Sequence, residues 1–245
     1  MNYFWAVVLG AIQGITEFLP VSSSGHLVLV QELIPNFTQP GVFFDTMLHA
    51  GTLVSVIYVF WKSLMKLDKK YIYMLFLGSI PAGLVGIFLN DYIEILFGST
   101  KLVSVALIVT GFVNLATNKL KEQKQEVKEK SALTIGIAQA LAIIPGISRS
   151  GSTIYAGVAR GVSKEQAAEF SFLLSIPAVL GANLIQFAEF TSSNTLPVSF
   201  YLAGFVSSVF FGVVAIKLVL RFLKEKRFDL FGYYCLLAGL VFLLK

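Results

Sequence analysis

Charged residues are scarce in this chain of 245 residues: Asp, Glu, Lys and Arg together account for 13% of it, about half the usual share in soluble domains. Hydrophobic residues account for 56%. This balance excludes a water-soluble globular domain and predicts an integral membrane protein. Cysteine is nearly absent as well, and the single Cys235 cannot form an internal disulfide.

Positive charge is missing from the N-terminal part of the chain, where no Lys or Arg precedes Lys62. A cleavable signal peptide starts with a basic segment, so we interpret this part as mature protein. The net charge of +5 arises from residues that lie mostly between apolar stretches. It therefore indicates membrane topology, and we expect no nucleic-acid partner.

Six apolar stretches are long enough to cross a bilayer, which takes about 20 helical residues. They cover 44–61, 71–89, 101–118, 165–188, 198–220 and 228–244. Two further segments, 3–34 and 133–160, each have two shorter apolar arms around a centre rich in Ser and Gly, which predicts re-entrant helical hairpins. Lys and Arg are concentrated in the loops 62–70, 119–130 and 221–227, which places these loops in the cytoplasm. The first hairpin then enters the membrane from outside, and the second enters from the cytoplasm.

The two hairpin segments repeat one sequence pattern at a constant offset of 126 residues. The offset aligns Gly10, Gln13, Ser22, Ser24 and Gly25 with Gly136, Gln139, Ser148, Ser150 and Gly151. Because the hairpins enter from opposite sides, we predict an all-α polytopic fold with six transmembrane helices and two re-entrant hairpins, in two inverted-topology repeats. The repeats cover 1–118 and 133–245, and a cytoplasmic linker joins them at 119–132. In such folds the hairpin tips meet near the middle of the membrane.

Ionisable side chains inside the apolar segments are costly there, so each is a candidate functional group. Glu17 and His26 lie in the first hairpin, and Arg149 lies in the second. Hydroxyl and glycine residues surround them: Ser22, Ser23, Ser24 and Gly25 in the first hairpin, and Ser148, Ser150, Gly151 and Thr153 in the second. Arginine grips phosphate with two parallel hydrogen bonds, and helix N-termini and Ser/Gly turns bind anions through backbone N–H groups. The sequence therefore predicts a site for a phosphate or diphosphate that is approached within the membrane, and so for a lipid phosphate.

Four further polar residues are candidates for a supporting role. Gln13 and Gln139 are predicted to hydrogen-bond to each other between the hairpins. Asp45 and His49 share one helix face and either bond locally or support the site.

Inverted repeats with broken helices are also typical of secondary transporters, so the chain could move a lipid phosphate across the membrane. A serine and a histidine beside the anion site favour hydrolysis, because transport needs anion binding alone.

The stretches Gln13–His26 and Pro145–Thr153 closely resemble the two signature motifs of bacterial undecaprenyl pyrophosphate phosphatases, the family linked to bacitracin resistance. The resemblance implies removal of the terminal phosphate from the polyprenyl diphosphate, which regenerates the carrier lipid of peptidoglycan synthesis in the bacterial cytoplasmic membrane. It also implies a site that faces outward and needs a divalent cation, Mg²⁺ or Ca²⁺. The family has Glu or Gln followed four residues later by Glu. Gln13 and Glu17 occupy these places, so Glu17 is the single carboxylate of the pair, and it is expected to bind the metal or to orient His26.

The same resemblance points to Ser23 as the nucleophile. His26, three residues later, is then placed to take its proton, while Arg149 and the backbone around it hold the diphosphate. Thr153 is expected to support the site through a hydrogen bond. Direct attack by water and His26 as the nucleophile stay open as alternatives. The oligomeric state stays open as well, with a homodimer as one option.

Overall fold

A computed structural model describes residues 2–34, 42–89, 96, 98–120, 123, 125–188 and 197–244. Within these residues the regular structure is helical, apart from an isolated bridge between Gln125 and Val162. The helices are α1 Tyr3–Phe18, α2 Ser23–Leu33, α3 Val42–Val59, α4 Trp61–Leu64, α5 Lys69–Phe88, α6 Thr100–Lys119, α7 Glu129–Leu141, α8 Arg149–Ala159, α9 Lys164–Ala188, α10 Val198–Lys224 and α11 Asp229–Leu243. All-α structure is therefore confirmed for the part of the chain that is described.

Every predicted apolar stretch falls on a helix. Among the described residues, four helices are long and apolar enough to cross a membrane, namely α5, α6, α9 and α10, and α1, α3 and α11 are shorter apolar helices. Large apolar side chains such as Phe76, Phe112 and Phe210 are exposed on the outside of the bundle, where lipid can cover them. The chain is thus a multi-pass membrane protein. Helix α7 begins at Glu129, inside the segment 119–132 that was predicted as the linker.

The two repeated segments form the same local structure, in which a helix ends and a second helix starts after a short turn. Ser22 and Ser148 are the N-caps of α2 and α8. Their side-chain oxygens accept hydrogen bonds from the backbone N–H groups of Gly25 and Gly151, at 3.3 and 3.1 Å. Serine is a favoured N-cap because its oxygen satisfies an amide that the helix leaves unpaired.

The likeness of the two halves extends to a second helix contact. A Cβ atom on Gly10 of α1 would lie 2.3 Å from the backbone oxygen of Gly204 in α10. A Cβ atom on Gly136 of α7 would lie 2.3 Å from the backbone oxygen of Gly78 in α5. Both contacts therefore require glycine, which lets two backbones approach closely in a membrane protein. Gly78 and Gly204 are separated by the same 126 residues as the hairpin motifs.

The first hairpin turn is anchored in the largest apolar cluster. Phe18, the last residue of α1, is fully buried there and meets the ring of Phe172 in α9 edge-on, with ring centroids 5.6 Å apart. This burial fixes the position of the residues on either side of the turn. The polar site begins one residue before Phe18.

Candidate anion-binding and catalytic site

Glu17 joins the two hairpin motifs at a buried ion pair. Its Oε1 atom accepts a hydrogen bond from Nη2 of Arg149 at 2.5 Å. Its Oε2 atom accepts from the hydroxyl of Ser23 at 2.7 Å and from the amide of Gln13 at 3.0 Å. The carboxylate side chain is only 8% exposed, and Arg149 compensates its charge. The two motifs therefore meet, as predicted, at one cluster of polar groups.

Gln13 is fixed by two partners and leaves one atom free. Its Nε2 atom donates to Glu17 and lies 2.9 Å from Nδ1 of His49. Since both amide hydrogens are then used, Nδ1 of His49 is the acceptor, and the neutral ring carries its proton on Nε2. The amide cannot turn over, because its oxygen would face the carboxylate. Oε1 of Gln13 stays buried without a hydrogen-bond partner.

The bonds of Gln13 bear on two predictions, its bond to Gln139 and the role of His49. The predicted hydrogen bond between Gln13 and Gln139 is wrong: both polar side-chain atoms of Gln139 are buried without a partner among the described residues. The physical reason is that Glu17 and His49 offer Gln13 two acceptors nearby. His49, 3.7 Å from Glu17, belongs to the site rather than to a local helix contact alone.

Arg149 is held from the side of α9. Its Nη1 atom donates to the backbone oxygen of Ser171 at 3.2 Å. Thr153 donates to the backbone oxygen of Arg149 at 2.7 Å and shares a hydrogen bond with the hydroxyl of Ser171 at 2.6 Å. Thr153 is fully buried, and in this structure its hydroxyl supports Arg149. The Arg149 side chain is 17% exposed, which leaves it reachable by a ligand.

The serines divide into buried and accessible ones. Ser22, Ser148 and Ser150 are at most 3% exposed. The first two cap helices, and Ser150 donates to the backbone oxygen of Leu19 at 3.1 Å. In this structure these three hydroxyls serve the fold, and their role in substrate binding stays a prediction. Ser23 and Ser24 are partly exposed.

The caps also change which backbone groups can bind an anion. The N–H groups of Gly25 and Gly151, predicted as ligand donors, are bonded to the cap serines. The amides of Ser23 and Ser24 lie in the first turn of α2, where the helix supplies no acceptor. Ser22 precedes them at φ 68°, a left-handed backbone conformation that is costly for a residue with a side chain.

His26 is hydrogen-bonded to groups other than Ser23, the nucleophile proposed for it. Its Nδ1 atom lies 2.8 Å from the backbone oxygen of Ser22, and its Nε2 atom lies 2.6 Å from the hydroxyl of Tyr234 in α11. The hydroxyl of Ser23 points instead to Glu17. The predicted Ser23–His26 hydrogen bond is therefore absent from this structure, because each partner has a competing bond. Tyr234 could not be recognised from the sequence as a partner of His26, because it lies 208 residues away.

Helix α6 holds both hairpin turns with neutral polar side chains. Thr110 donates to the backbone oxygen of Gly146 at 2.9 Å and accepts from the backbone N–H of Ser148 at 3.0 Å. Asn114 donates to the backbone oxygen of Pro20 at 2.6 Å. Thr110 and Asn114 are uncharged, so they were not among the ionisable residues that the sequence marked as candidates. The signal that could have found them is their spacing of four residues on one face of an apolar helix.

Fold and site together define a polytopic helical membrane protein with a charged, hydroxyl-rich centre suited to an anionic ligand. The chain belongs to the family of the bacitracin resistance protein BacA, whose sequence pattern matches residues 6–241.

The undecaprenyl-diphosphatase of Methanosphaera stadtmanae is 42% identical, over 96% of this chain and 95% of that protein. The proteins of the same name from Halothermothrix orenii and Syntrophotalea carbinolica are 40% and 38% identical. The alignment with the Halothermothrix orenii protein covers 100% of this chain and 98% of that protein. The alignment with the Syntrophotalea carbinolica protein covers 99% of this chain and 98% of that protein. The family resemblance of the two motifs is thereby confirmed.

Proposed function

We propose that the protein is an undecaprenyl-diphosphatase, which hydrolyses the lipid diphosphate to the monophosphate carrier and phosphate and thereby recycles the carrier of cell-wall precursors. The observation that carries this proposal is the meeting of Glu17, Ser23 and Arg149 at the junction of two broken helices. A hydroxyl nucleophile, a proton acceptor and a phosphate-binding cation are thus side by side in a membrane protein. The relatives over the whole chain bear the name of this activity. The alternative of a lipid-phosphate transporter is not favoured.

The first chemical step follows from the hydrogen bond between Ser23 and Glu17. The Ser23 oxygen attacks the terminal phosphorus of the diphosphate in line with the bridging oxygen. Its proton passes to Oε2 of Glu17, a new O–P bond forms, and the P–O bond to the lipid phosphate breaks. The lipid monophosphate leaves, and water then hydrolyses the phosphoserine. Glu17 replaces His26 as proton acceptor in this step, since it already holds the Ser23 hydroxyl at 2.7 Å.

Arg149 prepares the site for a diphosphate. Its planar guanidinium carries two hydrogen-bonding edges, and one of them is committed to Glu17. A second N–H group, on Nη1, donates to the backbone oxygen of Ser171, and the remaining N–H groups of the guanidinium can bind phosphate oxygens and offset the charge that develops in the transition state. The first-turn amides of Ser23 and Ser24 add donors with the favourable charge of a helix N-terminus.

A divalent cation fits the oxygen atoms of this site. No group of three or more His, Cys, Asp or Glu side chains suited to a metal occurs among the described residues. Mg²⁺ and Ca²⁺ need oxygen ligands, and Mg²⁺ keeps several waters and substrate oxygens in its shell. The unpartnered Oε1 of Gln13 and the carboxylate of Glu17 are the oxygens that would hold such an ion. The cation would supply charge neutralisation of the diphosphate.

The membrane arrangement proposed with this function has six spans and two re-entrant hairpins in inverted repeats, 1–118 and 133–245, with the site open to the outside of the cytoplasmic membrane. The shared cap and glycine contacts of the two halves support the repeat, and loop charges support its orientation. In a Cys235→Ala background, a cysteine at Val198 should react with an impermeant thiol reagent outside intact cells. A cysteine at Gln123 should not. The opposite pattern would reverse the proposed orientation.

Phosphate release from undecaprenyl diphosphate by the purified protein tests the function directly. Wild type should release phosphate, and EDTA should reduce the rate. Ser23→Ala should abolish release because it removes the attacking oxygen, whereas Ser24→Ala should be milder. Ser63→Ala, in α4, changes the same group in a helix that contributes nothing to the site and serves as the control. No release by the wild type would exclude the function, and release by Ser23→Ala would exclude the serine nucleophile.

A further inference from the structure

His26 is held on both ring nitrogens, and the partners determine where its proton lies. The backbone oxygen of Ser22, 2.8 Å from Nδ1, can only accept a hydrogen bond, so Nδ1 carries the proton. In the neutral ring Nε2 then has the lone pair. The hydroxyl of Tyr234, 2.6 Å from Nε2, must therefore be the donor.

A ring contact strengthens the same pair. The rings of His26 and Tyr234 are stacked, with centroids 5.5 Å apart and planes 14° from parallel. The two residues belong to different ends of the chain, α2 and α11. The last helix thus places an aromatic donor directly on the histidine of the first motif.

We infer that Tyr234 is a positioning residue of the site: its hydroxyl and ring hold His26 in one orientation, with Nδ1 protonated and the Nε2 lone pair occupied until substrate arrives. The inference rests on the proposed function. While the Tyr234 hydroxyl is bound, His26 cannot take a proton at Nε2. When the lipid diphosphate enters, that hydroxyl can move away, because Tyr234 is 47% exposed. The released Nε2 is then available to the water that hydrolyses the phosphoserine.

Two variants differ only in which neighbouring tyrosine loses its hydroxyl. Tyr234→Phe keeps the stacked ring and removes the donor, so the Nε2 edge of the imidazole is no longer fixed while Nδ1 stays bonded to Ser22. We expect kcat to fall about 3- to 10-fold with KM unchanged, because His26 then starts each turnover from more than the one orientation that Tyr234 sets. Tyr233→Phe is the matched control, since Tyr233 is 59% exposed on the same helix. It should stay within about twofold of wild type.

A spectroscopic measurement separates positioning from a general loss of structure. The chain has 2 histidines, so protein labelled with ¹⁵N-histidine gives two pairs of ring resonances, and His49→Gln assigns them. The Nε2 resonance of His26 should move in Tyr234→Phe and stay in place in Tyr233→Phe. An unchanged resonance in Tyr234→Phe would overturn the inference, even if turnover fell. Failure of the proposed function would appear separately, as absence of phosphate release by the wild type.

Discussion

Replacing Glu17 by Gln removes one charge from the centre of the site while keeping the size of the side chain. The carboxylate accepts hydrogen bonds from Arg149, Ser23 and Gln13. Glutamine offers a single acceptor oxygen, and its NH₂ group would face a donor. Arg149 is then left without its counter-ion in a largely buried position. We expect Glu17→Gln to lose both stability and turnover.

The expected loss of stability follows from the burial of the pair. Removing one partner of a buried ion pair typically costs about 3–5 kcal/mol, because the remaining charge is not compensated. Arg149 is 17% exposed, and water there relieves part of that cost. The lower end, about 3 kcal/mol, is therefore expected. For a chain of this length it corresponds to a fall in melting temperature on the order of 10 °C.

Thermal unfolding of the detergent-solubilised protein measures this fall, and a double-mutant cycle identifies its cause. Glu17→Gln combined with Arg149→Gln removes both charges, so the double variant should be more stable than Glu17→Gln alone. Glu225→Gln is the control, because it breaks an exposed ion pair with Arg221 on α10. Its effect should be much smaller. Equal stability of Glu17→Gln and wild type, or a double variant less stable than either single one, would refute the reasoning.

Three further predictions concern the grip on phosphate, the histidine and the helix contacts. Arg149→Lys should fold but lose most phosphate release, since one ammonium cannot replace the planar guanidinium, and near-wild-type turnover would reduce Arg149 to a structural cation. His26→Ala should lower turnover and reduce the melting temperature less than Glu17→Gln does, because it breaks neutral contacts with Ser22 and Tyr234 and leaves the ion pair intact; a drop as large as that of Glu17→Gln would contradict this. Gly136→Ala should lower the free energy of unfolding by about 1–3 kcal/mol, because the added methyl group overlaps the backbone of α5. Gly83→Ala should have no such effect, because its methyl group would lie in open space. Equal melting temperatures of the two variants would disprove the close approach.

The sequence predicted the helices well because their signals are local. Apolar stretches of about 20 residues have few structures open to them in lipid, so each fell on a helix. The repeated motif also placed Glu17 and Arg149 in one cluster. A buried carboxylate needs a cation, and the second motif supplied one.

The orientation of individual side chains could not be predicted in the same way. The spacing of Ser23 and His26 suggested a bond between them, but Glu17 and Tyr234 compete for these groups from other parts of the chain. Likewise, the amides of Gly25 and Gly151 looked free in the sequence and are used by the helix caps. Such choices depend on which groups the fold brings together.

Helix α6 has a mechanical consequence for the whole molecule. Transporters with inverted repeats work by rocking one repeat against the other around a fixed site. In this protein Thr110 and Asn114 tie the turns of both hairpins to one helix, and the bond from Glu17 to Arg149 crosses the same boundary. Rocking would leave a buried carbonyl and two buried charges unpaired at once, which is costly. The turns of both hairpins are therefore held together as one unit, and we expect the lipid headgroup to enter the site without separating them.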